Sequence, residues 1–420
     1  MYEVKEYSKE RVILVTVALR EDKQKGWGPE ESHAEIKELA LSSGVNIVDE
    51  VLAKIDTPTP NYLVGKGKAN EIYEIVHSHG KDIKAVLFSE DLSSTQQRNL
   101  EKTLGVKIID RTQLILDIFS QRANTNEGKL QVELAQLEYR LPRLSGLGIK
   151  LSRLGGGIGT RGPGEKMLET DLRGLRRKIK FIKSDLESLS KRRRKMRQNR
   201  MEHSVATVAV IGYTNAGKST FLNSITASDV VADNRLFSTL DLTSRRYTLP
   251  NNQRVLFVDT VGFIHKLPHN LIEAFKATLE EVKEADLLLH ILDISNPKAS
   301  EQFDAVYEVL KELESESKPI ITALNKADLV ENEHIIERFC RSITDSMPIS
   351  ALKGTGFKGL ISLIGENLDS QVEQIELLIP HSRMSLLSKI YEEGRVIERE
   401  DTPQGIRIKA TIPHYLKLKL

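Results

Sequence analysis

Three short motifs in the second half of the chain follow one another in the order that nucleotide chemistry requires. The first runs from Gly212 to Ser219 and reads G-x-x-x-x-G-K-S. Backbone N–H groups of such a loop surround phosphate oxygens, the lysine reaches the terminal phosphates, and the serine hydroxyl binds Mg²⁺. The pattern therefore predicts that Lys218 contacts a nucleoside triphosphate and that Ser219 binds its magnesium ion.

The second motif is Asp259-Thr-Val-Gly262, which follows an apolar run at residues 255–258. An aspartate at such a strand end holds magnesium through its water shell, and a glycine lets the backbone approach the γ-phosphate. Between the two motifs, Thr239 is the candidate that closes over magnesium when the γ-phosphate is present, with Thr243 as the alternative. Ordering of a segment by the γ-phosphate would make this region a switch.

The third motif, Asn325-Lys-Ala-Asp328, follows the apolar run 319–324 and selects the base. The Asp328 carboxylate accepts two hydrogen bonds, and guanine offers an N1–H beside a 2-amino group whereas adenine offers neither. The segment Ser350-Ala-Leu352 has the pattern of a loop whose backbone N–H meets the guanine oxygen. The three motifs therefore predict a GTP/GDP site and an enzyme that hydrolyses GTP to GDP and phosphate.

The residues predicted to contact the nucleotide and its magnesium ion lie in these motifs and in the segment around Thr239. The predicted nucleotide contacts are Gly212, Tyr213, Thr214, Asn215, Ala216, Gly217, Lys218, Ser219, Thr220, Phe237, Ser238, Thr239, Asp259, Gly262, Asn325, Lys326, Asp328, Ser350, Ala351 and Leu352. The predicted catalytic residues are Lys218, Thr239 and Gly262, and the predicted magnesium ligands are Ser219, Thr239 and Asp259.

Two positions suggest how hydrolysis is controlled. Phe263 follows Gly262, where many GTPases have the glutamine that orients the attacking water, and an apolar side chain cannot do this. We therefore expect slow hydrolysis until a partner or an ion completes the site. Asn215 has two interpretations: it is a ligand of K⁺ beside the phosphates, or it is a loop residue that tolerates a tight turn.

The elements around these motifs have the patterns that the site needs. Residues 204–211 form a β-branched run typical of a buried strand, and residues 220–225 continue as a helical pattern. Strand, glycine loop and helix in this order place the positive end of the helix at the phosphates. The motifs therefore predict a phosphate-loop GTPase domain with a doubly wound sheet at residues 201–369.

Composition limits what the whole chain can be. A length of 420 residues predicts two to four domains, and 40% apolar with 29% charged residues is ordinary for a globular protein. A single cysteine, Cys340, excludes an internal disulfide framework and fits a reducing compartment. The sequence contains no apolar run of about eighteen residues and opens with charges, so we expect no membrane span, no secretory signal and a cytoplasmic location.

Residues 1–125 alternate short apolar runs with helical stretches, which predicts an N-terminal α/β domain with a mainly parallel sheet. The expected strands are near 12–17, 45–48, 85–88 and 106–109, and the expected helices are near 30–43, 67–79, 94–104 and 111–121. At the other end, residues 370–420 predict a small α+β domain. It has a helix near 385–391 and a hairpin formed by 395–400 and 405–412.

Residues 126–200 predict an antiparallel, coiled-coil helical hairpin with a glycine-rich basic loop at its tip. Leu130, Leu134, Leu137 and Leu141 repeat at heptad spacing up to Pro142. A second series repeats in the same way at Leu168, Leu172, Leu175, Ile179, Ile182, Leu186 and Leu189. Two matching seams favour pairing within a monomer, and pairing between two copies of the chain is the alternative.

Basic residues are concentrated in this hairpin. The glycine-rich tract at residues 144–164 joins its two helices, and a dense basic run follows at residues 191–200. RNA phosphates are the natural counter-charge, and the scarcity of aromatic residues favours folded RNA over stacked single strands. The predicted RNA contacts are Lys150, Arg153, Arg161, Arg192, Arg193 and Arg194.

From about residue 10 to its C-terminus, the chain resembles the HflX family of ribosome-associated GTPases. Outside the phosphate loop and the Asp259 motif, the resemblance rests on Val64-Gly-Lys-Gly-Lys68, Gln96-Gln-Arg-Asn-Leu100, Gln131-Val-Glu-Leu-Ala-Gln-Leu137 and the glycine tract Ser152–Glu165. One departure is Gly164-Glu-Lys-Met-Leu-Glu169, where family members commonly read Gly-Glu-Thr-Gln-Leu-Glu.

The resemblance implies a function for the whole chain. It implies binding to the large ribosomal subunit, its RNA and intact ribosomes, hydrolysis that ribosomes stimulate, and splitting or rescue of stalled ribosomes under stress. Two alternatives stay open. The protein is a ribosome-assembly GTPase, or it is an RNA-binding or RNA-remodelling protein whose N-terminal domain uses ATP.

Overall fold

The structure is a computed structural model that describes residues 10–20, 26–145, 163–202, 205–226, 237, 243–266, 268, 271, 276–368 and 372–413. The chain forms two compact units. One contains Met1–Glu187 and Pro268–Phe275, and the other contains Ser188–Leu267 and Lys276–Leu420. The four domains expected from the sequence, 1–125, 126–200, 201–369 and 370–420, stay a prediction. No helix among the described residues is both long and apolar enough to span a bilayer.

The first unit begins with a parallel sheet of four strands in the order β2-β1-β3-β4. The strands are β1 (Arg11–Leu19), β2 (Asn46–Ile55), β3 (Ala85–Phe88) and β4 (Lys107–Ile109). The connecting helices are α1 (Pro29–Ser42), α2 (Lys66–Ser78), α3 (Ser94–Leu104) and α4 (Arg111–Arg122). Helices on a parallel sheet explain why residues 12–17 and 85–88 are continuously buried. The predicted N-terminal α/β fold is confirmed.

Side-chain caps fix where two of these helices begin. At α3, Ser93 Oγ accepts the Gln96 N–H at 3.2 Å and the Gln96 side chain accepts the Ser93 N–H at 2.9 Å. This reciprocal capping box satisfies two otherwise unpaired donors. At α4, the buried Asp110 accepts the Gln113 N–H at 2.9 Å.

Helices α5 (Asn126–Ser145) and α6 (Pro163–Glu202) pack through the predicted leucine seams. The buried side chains of this contact are Leu134, Leu137 and Ile182, and Leu130, Leu175, Ile179 and Leu186 surround them. Ion pairs lie on both flanks of the seam, Lys178 with Glu133 and Lys183 with Glu138. Each pair joins equivalent positions beside the two seams, which is the pattern of antiparallel coiled-coil helices.

The first of these helices continues past Pro142, where its leucine repeat ends, to Ser145. A proline removes only one helical hydrogen bond, and Arg143 compensates for this loss. The Arg143 guanidinium donates to the Tyr139 carbonyl at 3.0 Å, to the Leu92 carbonyl at 2.8 Å and to the buried Asp110 carboxylate at 2.9 Å. These contacts hold the last turn against the sheet domain.

The second unit contains a sheet of six strands in the order β10-β9-β8-β5-β7-β6, all parallel except β6. Its strands are β5 (Ala206–Gly212), β6 (Ser244–Thr248), β7 (Arg254–Asp259), β8 (Leu287–Asp293), β9 (Ile320–Asn325) and β10 (Ser346–Pro348). Its helices are α7 (Lys218–Thr226), α8 (Lys276–Glu284), α9 (Ala299–Glu312), α10 (Glu333–Ser342) and α11 (Phe357–Leu368). In such sheets, ligands bind where the parallel strands end, and here β5, β7 and β9 end in the three motifs.

The same unit ends with an antiparallel sheet in the order β11-β13-β12, covered by one helix. Its elements are β11 (Val372–Ile379), α12 (Met384–Glu393), β12 (Arg395–Thr402) and β13 (Gly405–Pro413). Leu387 and Ile390 of α12 pack with Ile406 and Ile408 of β13. The expected helix and hairpin are present, whereas β6, β8, β10 and β11 were not predicted from the sequence.

Candidate nucleotide-binding site

The phosphate loop, residues 212–219, joins β5 to α7 and contains two glycines that no other residue could replace without strain. Gly212 has φ +149° and Gly217 has φ +99°. A Cβ atom on Gly212 would lie 2.3 Å from the Ile291 carbonyl oxygen, and one on Gly217 would lie 2.3 Å from Asn325 Nδ2. Both positions therefore require glycine because of the backbone angle and because of the close neighbour.

Lys218 is buried inside the loop that it follows. Its ammonium group donates to the Gly212 carbonyl at 3.1 Å and to the Tyr213 carbonyl at 2.8 Å. Burial lowers the pKa of Lys218 to about 8, and the Asp259 carboxylate partly opposes this shift. Because charged acceptors bind an ammonium more strongly than neutral carbonyls do, phosphate oxygens are better partners for Lys218 than its present ones.

Ser219 and Asp259, two of the three predicted magnesium ligands, contact each other beside this lysine. The Ser219 hydroxyl donates to Asp259 Oδ2 at 3.2 Å. Magnesium takes oxygen ligands and is usually held by one or two protein groups together with phosphates and water. A hydroxyl and a carboxylate in contact therefore fit magnesium. The described residues contain no group of three His, Cys, Asp or Glu side chains suited to a metal ion.

Residues 260–266, which we name the Gly262 loop, are hydrogen-bonded to the phosphate loop. Phe263 N–H donates to the Gly212 carbonyl at 3.1 Å, and Thr214 N–H donates to the Phe263 carbonyl at 2.8 Å. A Cβ on Gly262 would lie 2.8 Å from Thr214 Cγ2 and 3.0 Å from Lys218 Nζ. Only a glycine permits this approach. The Phe263 side chain is fully buried.

Asn325 joins the phosphate loop to the base-side loop. Its Nδ2 donates to the Ala216 carbonyl at 2.7 Å, and its Oδ1 accepts the Ala351 N–H at 2.9 Å. The residue is buried, and both ends of its amide are engaged by protein. In this structure Asn325 therefore positions two loops, a role that the motif alone does not reveal.

Asp328 lies in the base-side loop as an ionised carboxylate. A hydrogen bond from Ser350, followed by the neighbouring Lys353, lowers the pKa of Asp328, and Lys353 Nζ is 3.3 Å from its carboxylate. Lys326 of the same motif pairs with Asp293 at the end of β8 at 2.7 Å, an interaction that the sequence motifs did not indicate. A charged acceptor at Asp328 suits the two adjacent donors of guanine.

Several predicted contacts occupy different environments. Ser350 and Ala351 are buried, whereas the Leu352 side chain is 80% exposed. Thr220 is partly buried in the first turn of α7. Phe237 is buried with φ +55°. Ser238 and Thr239 lie outside the described residues, so their roles stay predictions. Thr243 is the alternative to Thr239 as the threonine that closes over magnesium. Its backbone carbonyl oxygen accepts the Asp259 N–H at 2.8 Å.

Asn215 is exposed in the phosphate loop with φ +62°. Asparagine tolerates this left-handed conformation better than most other residues. The turn interpretation therefore explains this residue without an ion, and a contact with K⁺ stays a prediction.

The six residues predicted to contact RNA differ in how much of each the structure describes and in their exposure to solvent. Lys150, Arg153 and Arg161 lie outside the described residues, and for Arg194 only the helical backbone is described. Arg192 is exposed on α6. Arg193 instead is 15% exposed in its side chain, and its guanidinium lies 4.0 Å from the Glu280 carboxylate. Arg192 is therefore open to solvent, whereas Arg193 faces the protein.

Four protein-family models match consecutive parts of the chain. Their descriptions are "GTP-binding GTPase N-terminal" for residues 30–120, "GTP-binding GTPase Middle Region" for 122–200, "50S ribosome-binding GTPase" for 207–326 and "HflX C-terminal domain" for 335–413. The matches therefore extend well beyond the nucleotide motifs.

Curated relatives match nearly the whole chain. "GTPase HflX" of Caldanaerobacter subterraneus subsp. tengcongensis is 44% identical, over 98% of this chain and 93% of its own length. "GTPase HflX" of Lacrimispora saccharolytica is 43% identical, over 99% and 96% respectively. "GTPase HflX" of Escherichia coli is 43% identical, over 93% and 90%. Similarity of this extent covers both compact units.

Proposed function

The chain belongs to the HflX family of GTPases, and from this membership we propose that it acts on ribosomes, binding the large subunit and splitting or rescuing stalled particles. The predicted family and the predicted GTPase activity, with GTP and GDP as ligands, are confirmed. The large-subunit target, the splitting or rescue role, the individual site residues, the ions and the monomeric state are the proposal.

The proposed GTP binding and hydrolysis rest on one observation. Lys218, Ser219, Asp259 and Asp328 all lie at the edge of the sheet where the parallel strands end. Asp328 binds the guanine edge, and Lys218 exchanges the carbonyls of Gly212 and Tyr213 for phosphate oxygens. Ser219 and Asp259 would hold magnesium, which would supply positive charge next to the phosphates of the nucleotide. Lys218 then stabilises negative charge that develops on the phosphoryl group.

The Gly262 loop is the part of the site that senses the γ-phosphate. Two backbone hydrogen bonds join it to Gly212 and Thr214 of the phosphate loop, and a Cβ on Gly262 would lie 3.0 Å from Lys218 Nζ. A phosphate that draws Lys218 away from its present position therefore changes the surroundings of Gly262. We propose that this change distinguishes the GTP-bound from the GDP-bound protein.

Hydrolysis is slow until the ribosome completes the site. Phe263 is buried and apolar, so at this position the chain supplies no group that orients water. Completion of such sites by a partner raises the rate by about 10³- to 10⁵-fold. We propose that ribosomal RNA or protein supplies the missing element.

Ribosome binding is supported by two features. The model that matches residues 207–326 is described as a 50S ribosome-binding GTPase. In addition, Arg192 and Lys195 are exposed near the end of α6, where they can meet RNA phosphates. The basic tip residues Lys150, Arg153 and Arg161 are proposed to extend this contact.

Cosedimentation with intact ribosomes and with separated subunits tests the proposal. We expect the chain to pellet with the large subunit when a non-hydrolysable GTP analogue is present, to release with GDP, and to convert stalled ribosomes into subunits. The matched control is Lys218→Ala, which should not respond to nucleotide. Binding that is indifferent to nucleotide contradicts the proposal.

The same experiment separates the two alternatives. Preference for immature particles over mature subunits would favour an assembly GTPase. RNA remodelling that persists in Lys218→Ala and depends on ATP would favour an ATP-dependent N-terminal domain.

A further inference from the structure

The C-terminal part of α6 contacts helix α8 at the Glu280 carboxylate. The Ser190 hydroxyl donates to Glu280 Oε2 at 3.2 Å, and Arg193 Nη2 lies 4.0 Å from the same oxygen. The side chains of Arg193 and Glu280 are 15% and 22% exposed. All three residues lie in one compact unit. This Ser190–Glu280–Arg193 contact is thus a partly buried, polar junction between two helices.

Helical periodicity separates this junction from the exposed basic residues. Ser190 and Arg193 follow Ile182 and Leu186 at steps of four, four and three residues, so they continue the inward-facing stripe of α6. Lys191, Arg192 and Lys195 are exposed on the rest of the helix surface. One helix therefore presents cations to solvent and directs one cation, Arg193, toward a carboxylate.

Helix α8 packs against β5, the strand that leads into the phosphate loop. Leu279 and Val282 of α8 are buried in the GTPase domain, and Glu280 is on its more exposed side. A displacement of α8 relative to α6 changes the distance between Glu280 and Arg193. Helix α8 therefore packs against the strand of the phosphate loop and also contacts the basic end of α6 through Glu280.

We propose that Glu280 couples the nucleotide site to the basic helix, because Glu280 and RNA phosphates compete for the Arg193 guanidinium. The RNA half of this inference rests on the proposed function. An ion pair at 4.0 Å is weak, whereas guanidinium binds phosphate through two parallel hydrogen bonds. RNA therefore displaces Glu280 from Arg193 and frees α8. By thermodynamic reciprocity, if RNA binding changes the affinity for a nucleotide by some factor, that nucleotide changes the affinity for RNA by the same factor.

The coupling itself is tested without RNA. Hydrogen exchange is measured for peptides covering residues 188–195 and 276–284, with GDP and with a non-hydrolysable GTP analogue. We expect the nucleotide to change exchange in both peptides of the wild-type chain, and Glu280→Gln to remove the change in residues 188–195. Glu316→Gln, which neutralises an exposed glutamate elsewhere in the same unit, is the matched control. An unchanged nucleotide response in Glu280→Gln overturns the inference.

Binding to the isolated large subunit tests the competition. Glu280→Gln should raise affinity in the GDP state about threefold to tenfold and reduce the difference between nucleotides, since Arg193 loses its ion pair with Glu280. Arg193→Gln should also reduce the difference between nucleotides but lower the affinity. Equal nucleotide ratios in wild type and Glu280→Gln contradict the competition. If the wild type does not bind ribosomes in any nucleotide state, the proposed function fails, and hydrogen exchange alone decides the coupling.

Discussion

The Tyr213 hydroxyl accepts a hydrogen bond from the backbone N–H of His265 at 2.7 Å. A side chain of the phosphate loop thereby holds the far end of the Gly262 loop, in addition to the backbone bonds made by Phe263. Hydrogen bonds of the backbone and of a side chain therefore join the phosphate loop to the Gly262 loop.

Removing the Tyr213 hydroxyl should weaken the contact between the phosphate loop and the Gly262 loop. We predict that Tyr213→Phe lowers the free energy of unfolding by about 1 kcal/mol, the usual effect of deleting one hydrogen bond with a partly buried donor. GDP release should accelerate severalfold, because opening the Gly262 loop no longer breaks this bond. Stopped-flow release of a fluorescent GDP measures the rate, and Tyr73→Phe is the control. Identical release rates in Tyr213→Phe and wild type would show that the bond does not restrain the loop.

Lys218 should stabilise the nucleotide complex and destabilise the free protein. Its pKa is lowered from 10.5 to about 8, so at pH 7 folding buries a charge at a cost of about 3 kcal/mol. We predict that Lys218→Met abolishes GTP binding yet raises the unfolding temperature of the nucleotide-free chain at pH 7. Calorimetry on both forms measures this. A lower unfolding temperature in the variant would refute the predicted cost.

The same shift predicts a pH dependence. Between about pH 8 and 10.5 the unfolded chain holds a proton on Lys218 that the folded, nucleotide-free chain has lost, so stability rises with pH in this window. Phosphates favour the ammonium form, so GTP binding above about pH 8 should take up a proton and weaken as pH rises. Titration calorimetry in buffers of different ionisation enthalpy measures this uptake. Equal heats in all buffers at pH 9 would contradict the prediction.

Asp328 should determine the base. Replacing its carboxylate by an amide in Asp328→Asn removes two charge-assisted acceptors, which should weaken GTP binding by about 10²-fold or more. The amide instead donates to the 2-oxo group of xanthine, so xanthosine triphosphate should become the better substrate. Hydrolysis assays with both nucleotides measure the exchange, and Asp345→Asn is the control. GTP preference retained in Asp328→Asn would rule out this assignment.

Asn215 should reveal whether K⁺ takes part. Because its φ is +62°, Asn215→Gly keeps the turn while it removes the amide. We predict that K⁺ accelerates hydrolysis relative to Na⁺ at equal ionic strength, and that Asn215→Gly loses this acceleration while GTP affinity is kept. If the wild type hydrolyses GTP equally fast in both salts, asparagine is here only a turn residue.

The sequence contained the signals that depend on neighbours along the chain. Glycine spacing and a lysine at a helix start identify the phosphate loop, because a phosphate-binding turn needs those residues in that order. Alternating apolar runs predicted the N-terminal strands, and heptad spacing predicted the seam of α5 and α6, because side-chain direction repeats with a fixed period. Of the strands missed, β8 is an apolar run interrupted by His290, and β11 has apolar residues at the alternate positions Ile375, Leu377 and Ile379, so both could have been predicted.

Contacts between distant residues were decided only by the tertiary structure. Asn325 donates a hydrogen bond to Ala216, which is 109 residues away in the sequence. A residue of the base-recognition motif therefore also holds the phosphate loop in place. Helix α5 continues past Pro142 because Arg143 in its last turn is hydrogen-bonded to Asp110. Arg193 faces Glu280 although it stands in a run of cations. Each depends on which strands and helices pack side by side, and local propensity holds no information about that.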